Sequence, residues 1–156
     1  MRRPCSALAL RAPQSHPDAV PHPLSPTSEA PLNASTFLDL HRTWAWVVII
    51  SNGIVGAWAL AANWLTVLRV KALWWATAVA QLTVFVQVTF GVILVNRYGF
   101  ELPQFHAFYG FVGIIAVAII YAYRIQMRHR LYLLYGLGSL FVMGLAIRAL
   151  LIGHLR

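Results

Sequence analysis

Residues 105–123 read FHAFYGFVGIIAVAIIYAY and contain no Asp, Glu, Lys or Arg. A helix needs about 20 apolar residues to cross the hydrocarbon core of a bilayer, because each residue advances it by about 1.5 Å. Three further apolar runs lie around this one, so that the four occupy about 43–67, 72–95, 105–123 and 131–151. The pattern predicts an all-α membrane protein with four transmembrane helices.

The composition of the 156-residue chain agrees with this prediction. Hydrophobic residues make up 60% and charged residues 10%, whereas about a quarter of an ordinary soluble domain is charged. This excludes a soluble enzyme domain, a disordered protein and a disulfide-rich secreted scaffold. The single cysteine, Cys5, excludes an internal disulfide and a cysteine-rich metal site. We attribute the net charge of +8 to topology and lipid contact and expect no nucleic-acid partner.

The chain divides into two parts. Residues 1–40 contain seven of the eight prolines, and proline at this density predicts a disordered tail because it breaks helices and cannot donate to a sheet. Residues 41–156 form the predicted transmembrane domain. Its connections are short, and short connections make neighbouring helices antiparallel. We therefore expect an up-down-up-down four-helix bundle.

Basic residues predict the orientation of this bundle in the plasma membrane. The first and third connections contain basic residues and no acid: Arg69, Lys71, Arg124, Arg128 and Arg130. The positive-inside rule places such connections in the cytoplasm, and so both termini outside.

Two histidines are the candidate site residues. His41 precedes the first span and His106 begins the third, so the alternating topology brings both to the outer side. Two imidazoles from different helices are what axial ligation of haem b requires, and His41 and His106 would then be the metal ligands. Gly110 would make room for the macrocycle, while Gln87 would contact the edge of a porphyrin or a quinone. The alternative is a pair of interfacial histidines solvated by water or lipid headgroups.

Polar residues within the spans suggest contacts between helices. His41, Asn52 and Asn63 recur every eleven residues, which places them along one stripe of a helix. Asparagines on such a stripe form hydrogen bonds between membrane helices or provide a polar seam for a ligand. No span has Asp, Glu or Lys in its middle, which argues against a proton-coupled transporter. No catalytic motif is present, and we name no catalytic residue.

Two family resemblances add to this interpretation. The stretch from Gln87 to Val92, followed by an outer loop and His106, resembles a helix pair of bis-histidine haem b membrane cytochromes and of one four-helix half of haem A synthase. This resemblance covers about two spans and implies haem ligation near the outer helix ends. The acidic and basic signature residues of the synthase are absent, so its catalysis is not implied.

The second resemblance covers nearly the whole chain after the tail. It rests on LHRTWAW at 40–46, PQFHAFYGF at 103–111 and LYLLYG at 131–136. These segments are similar to small multi-span actinobacterial membrane proteins, one class of which associates with the supercomplex of cytochrome bcc and the terminal oxidase. The resemblance implies protein partners within the membrane.

Three functions are compatible with the sequence. The first is a non-catalytic accessory or assembly component of a larger, respiratory membrane complex, which requires no cofactor and has lipids and membrane proteins as partners. The second, from another class, is a redox protein that binds haem b or a quinone through His41 and His106. The third is a small channel or transporter formed by oligomerisation.

Overall fold

The computed structural model describes residues 30–101 and 103–154, and every regular element in these ranges is helical. The α-helices are α1 (Ala30–Trp64), α2 (Lys71–Tyr98), α3 (Gln104–Tyr123) and α4 (Leu131–His154). Single 3-10 turns, Thr66–Leu68 and Arg128–Arg130, precede α2 and α4. All four α-helices are long and apolar enough to cross a membrane. The predicted all-α class with four long apolar helices is confirmed.

The start of α1 differs from the sequence-based boundary. The helix begins at Ala30, so residues 30–40, which we assigned to the tail, are helical. Pro31 lies in the first turn, where the missing N–H would have no intrahelical partner and the fixed φ angle suits a helix. The proline therefore begins this helix instead of blocking it. Residues 1–29 of the predicted tail lie outside the described residues.

Local signals end α1 and α2 and precede α3. The guanidinium of Arg69 donates hydrogen bonds to the carbonyl oxygens of Ala62 (2.8 Å) and Asn63 (2.9 Å), in the last turn of α1. Gly99 ends α2 in the left-handed conformation, with φ of 68°, where a residue without Cβ meets no steric penalty. Pro103 directly precedes α3. Proline suits this position, since the residue before a helix needs no intrahelical N–H bond.

Glycines allow α1 and α4 to pack closely. A Cβ atom added at Gly136 would lie 2.7 Å from the side chain of Leu60 and 3.0 Å from its backbone nitrogen. One added at Gly56 would lie 2.9 Å from Leu140. On the other side of α4, a Cβ at Gly138 would lie 2.5 Å from Ile120 of α3. The small residues of the fourth apolar run are therefore used for packing inside the chain, as in other close helix crossings.

Polar and aromatic side chains connect α1 to α2 and α3 to α4. Trp44 donates its indole N–H to the carbonyl oxygen of Thr83 (3.1 Å), and the amide of Asn52 donates to that of Ala80 (3.0 Å). The ring centres of Tyr121 and Tyr135 are 6.0 Å apart across α3 and α4. The hydrogen bond of Asn52 confirms that this asparagine joins two helices.

Apolar side chains lie both in the core of the bundle and on its outer surface. A core cluster draws residues from all four helices: Val48, Val84, Ala116, Val117, Ile120, Tyr135 and Val142. Each helix also turns large apolar side chains outward, among them Ile54, Val79, Phe111 and Phe141. A soluble bundle rarely exposes apolar surface of this extent.

Candidate functional site

The rings of His41 and His106 meet at one end of the bundle. Their centres are 5.9 Å apart, and the ring planes are inclined by 60°. His41 comes from α1 and His106 from the first turn of α3, and both side chains are half-buried. The structure thus brings together the two histidines that the sequence analysis paired.

A hydrogen bond to α4 determines which nitrogen of His106 carries the proton. Nδ1 of His106 lies 3.0 Å from the carbonyl oxygen of Ala149. A carbonyl oxygen can only accept a hydrogen bond, so Nδ1–H is the donor. In the neutral ring, Nε2 then keeps its lone pair and is the nitrogen able to bind a metal.

A glycine of α4 provides space for this ring. A Cβ atom added at Gly153 would lie 3.2 Å from Nδ1 of His106, which is tighter than ordinary van der Waals contact. Ala149 and Gly153 are four residues apart and therefore share one face of α4. That face orients the imidazole of His106.

Two residues of α2 hold His41. The side-chain amide nitrogen of Gln87 donates to the backbone carbonyl of His41 (3.1 Å) and lies 3.3 Å from Nε2 of the same residue. One turn further along α2, a Cβ atom added at Gly91 would lie 3.4 Å from Cε1 of His41. Gln87 and Gly91 are four residues apart and share one face of α2, and the flat group that this face contacts is the His41 ring.

Two polar atoms of the site are buried and have no hydrogen-bond partner. They are Nδ1 of His41 and Oε1 of Gln87. A buried polar atom without a partner costs about 1–3 kcal/mol. Other such atoms lie on Asn52, Gln81 and Ser139, so the two at the histidines are available to a bound group but do not by themselves mark a site.

The other predicted site residue, Gly110, faces α2. A Cβ atom added there would be in ordinary contact with Val88, at 3.9 Å. Room for a macrocycle at Gly110 stays a prediction. Ala149 and Gly153 were not predicted from the sequence. The available signal was two small residues four apart in the last turns of the fourth apolar run, which indicates a contact face but not its partner.

The donor set limits which metal this site can hold. Among the described residues, no group of three or more His, Cys, Asp or Glu side chains could hold a metal ion. A bare ion would therefore have only two imidazole ligands, whereas protein sites for zinc provide three or four. Haem iron differs, because the porphyrin supplies four nitrogens and the protein needs to add only axial ligands.

The distance between the two rings is compatible with axial ligation. Metal–imidazole bonds are about 2.0–2.1 Å long, so two imidazoles on opposite sides of one metal ion have ring centres roughly 6 Å apart. The distance between the centres of His41 and His106 is 5.9 Å. The spacing of the pair is therefore compatible with a metal between the rings, for which Nε2 of His106 is free and Nε2 of His41 would have to leave the amide nitrogen of Gln87.

Fold and site together define an all-helical protein with four helices that are long and apolar enough to cross a membrane, and with a histidine pair at one end of the bundle. No family model, curated protein or solved structure matches this chain.

Proposed function

We propose that this chain is an integral membrane protein that binds haem b, with His41 and His106 as the axial ligands of the iron. The observation that carries the proposal is the contact between the two imidazoles, one of which has its Nδ1 proton bound to Ala149 and its Nε2 lone pair available. Haem held by His41 and His106 would supply one-electron transfer at this end of the bundle.

Two observations support insertion of the helices into a membrane. All four are long and apolar enough to cross a bilayer, and all four turn large apolar side chains outward. Contact of such side chains with lipid has no free-energy cost, whereas their exposure to water is unfavourable. The location we propose is the plasma membrane.

The order of contacts supports an up-down-up-down arrangement. Along α1, Trp44 meets Thr83 and Asn52 meets Ala80, so residue numbers fall on α2 as they rise on α1. The same reversal relates α3 to α4, where His106 meets Ala149 and Tyr121 meets Tyr135. Short connections favour this arrangement. The basic connections then lie in the cytoplasm, with the histidine pair and both termini outside.

The tautomer of His106 gives that ring a free lone pair and leaves Nδ1 of His41 as the histidine donor that a quinone would use. A quinone presents carbonyl oxygens and needs a hydrogen-bond donor from the protein. His106 already donates its Nδ1 proton to Ala149, and the neutral ring has no second donor. A lone pair on Nε2 suits a metal ion.

The accessory role in a larger respiratory complex stays a prediction, as do a partner complex of the actinobacterial type and an oligomeric channel. Haem binding is compatible with the accessory role, because a haem protein can dock on a partner. Affinity purification in mild detergent tests for docking, and elution of the protein alone would contradict it.

Absorption spectroscopy tests the haem proposal. We expect the protein purified in detergent from haem-supplemented cells to show a Soret band and one haem per chain, with the low-spin iron spectrum of two imidazole ligands. His41→Ala and His106→Ala should each abolish the low-spin spectrum and lower the haem content at least about tenfold, since each removes one axial ligand. The matched control is His129→Ala, which lies in the turn before α4 and should keep the full haem content.

The wild-type spectrum decides the outcome even where a variant folds poorly. Absence of a Soret band from wild-type protein after haem supplementation would overturn the proposal. Unchanged low-spin spectra in both histidine variants would overturn the assignment of the ligands. Gel-filtration elution of each variant shows whether a loss of haem accompanies a loss of fold.

A further inference from the structure

A cavity lies at the end of the bundle opposite the histidine pair. It has a volume of about 820 Å³, and residues of α2, α3, α4 and the connection before α4 line it. The residues that carry the argument are Trp74, Trp75, Tyr121, Arg124, Arg128 and Tyr135. We call this cavity the arginine groove.

A tyrosine of α4 lies between α2 and α3 at this end. Nearer to the histidines these two helices are in contact, since a Cβ atom at Gly113 would lie 3.7 Å from Val84. At the other end the buried ring of Tyr135 lies 5.3 Å from that of Trp74 on α2 and 6.0 Å from that of Tyr121 on α3. The ring of Tyr135 fills the space between the two helices and forms the floor of the groove.

The lining of the groove is amphiphilic. Arg124 and Arg128 provide two guanidinium groups, and no acidic residue lines the groove. The remaining lining is largely apolar and aromatic, and the indole of Trp75 is 77% exposed. Two acids are among the described residues. Asp39 lies in α1, two residues before His41, and Glu101 follows the end of α2. The two guanidinium groups therefore have no acidic partner within the described part of the chain.

We infer that the arginine groove binds an anionic phospholipid, with its phosphate at Arg124 and Arg128 and an acyl chain along Trp74 and Trp75. Guanidinium groups bind phosphate through paired hydrogen bonds, and basic pockets between membrane helices bind acidic headgroups. Tryptophan side chains favour the boundary between headgroups and acyl chains. The inference depends on the proposed membrane insertion and is independent of haem.

The apolar wall favours a phospholipid over a free phosphate ion. A free ion would occupy only the guanidinium groups and leave the exposed indole of Trp75 uncovered. An acyl chain covers this surface, and each buried methylene group contributes about 0.8 kcal/mol. The occupant therefore has an anionic head and a hydrocarbon tail.

Native mass spectrometry of detergent-purified protein tests the inference. The probes are phosphatidylglycerol and phosphatidylcholine with identical acyl chains. We expect wild-type protein to retain phosphatidylglycerol at least about tenfold better, and Arg124→Gln/Arg128→Gln to lose this preference. The matched control is Lys71→Gln/Arg130→Gln, which removes the same charge at the same end from residues that do not line the groove. It should retain the preference.

Three results would overturn the inference. The first is equal retention of the two lipids by the wild-type protein. The second is an equal loss of preference in both double variants, which would indicate only general attraction to positive charge. The third is displacement of phosphatidylglycerol by inorganic phosphate at equal concentration, which would indicate an anion site without a role for the acyl chain. Haem content is recorded in the same samples, so failure of the haem proposal is distinguished from failure of this one.

Discussion

At the scale of single residues, Asn52 is a polar side chain buried in an apolar interior. Its amide nitrogen donates to the carbonyl oxygens of Val48, on its own helix, and Ala80, on α2, at 3.0 Å each. No part of the residue is exposed, and its amide oxygen has no partner. The amide therefore forms one hydrogen bond between helices and also leaves one buried acceptor, its oxygen, without a partner.

Replacing Asn52 should weaken the bundle moderately. We expect Asn52→Ala to lower the free energy of unfolding by about 1–2 kcal/mol, because it removes the bond to α2 and leaves a small cavity. Asn63→Ala is the control, since Asn63 lies on the same stripe but is only half-buried and its side chain makes no hydrogen bond among the described residues. It should change stability by less than about 0.5 kcal/mol.

Denaturant titration in mixed micelles, followed by circular dichroism, measures both values. Equal losses of unfolding free energy in the two variants would show that the hydrogen bond from Asn52 to Ala80 adds no stability of its own.

At the scale of the helices, the contact between α1 and α4 depends on the absence of side chains at two glycines. Gly56 and Gly136 lie where a Cβ atom would come within about 3 Å of the opposite helix. At Gly136 one of the atoms in the way is the backbone nitrogen of Leu60, at 3.0 Å. A backbone atom cannot move without moving the helix, so this contact determines how closely α1 and α4 approach.

An added methyl group should have opposite effects at two glycines of α4. Gly136→Ala should lower the free energy of unfolding by about 1–3 kcal/mol, because overpacking outweighs the gain in helix propensity. Gly144→Ala should raise it by up to about 1 kcal/mol, since no atom lies within 4 Å of the added Cβ. Thermal unfolding in detergent measures both, and a stabilised Gly136→Ala variant would contradict the close packing of α1 and α4.

At the scale of the whole molecule, the two ends of the bundle differ in chemistry. One end carries the imidazoles of His41 and His106. The other carries the arginine groove and the hydrogen-bonded Arg69, whose guanidinium also lies 5.0 Å from the centre of the Tyr132 ring. This asymmetry gives the molecule a predicted direction in a membrane, because basic ends stay in the cytoplasm.

Reporter fusions test this direction. A reporter that is active only outside the cytoplasm should be active when fused after Arg156 and inactive when fused after Gln126, in the connection between α3 and α4. A reporter that is active only in the cytoplasm should give the reverse pattern. The fusion after Gln126 is the internal control for expression. Cytoplasmic activity at Arg156 would reverse the proposed orientation and move the histidine pair to the cytoplasmic side.

Much of the fold could be read from the chain before any contact was known. The four apolar runs predicted α1 to α4 because helix length and hydropathy are local properties of consecutive residues. The ends of three helices differ from the predicted bounds by about three residues, and the larger difference is at the beginning of α1, where Pro31 was taken as a helix breaker although the first turn tolerates it. The pairing of His41 with His106 followed from the alternation of spans.

The partners of these histidines were decided by the tertiary structure alone. No local pattern indicated that the carbonyl of Ala149 would hold His106, or that Gln87 and Gly91 would enclose the ring of His41. Nor did any pattern indicate that the ring of Tyr135 would contact rings on both α2 and α3. Such contacts depend on how each helix is rotated and how closely it approaches its neighbours, and the packing of all four helices determines both.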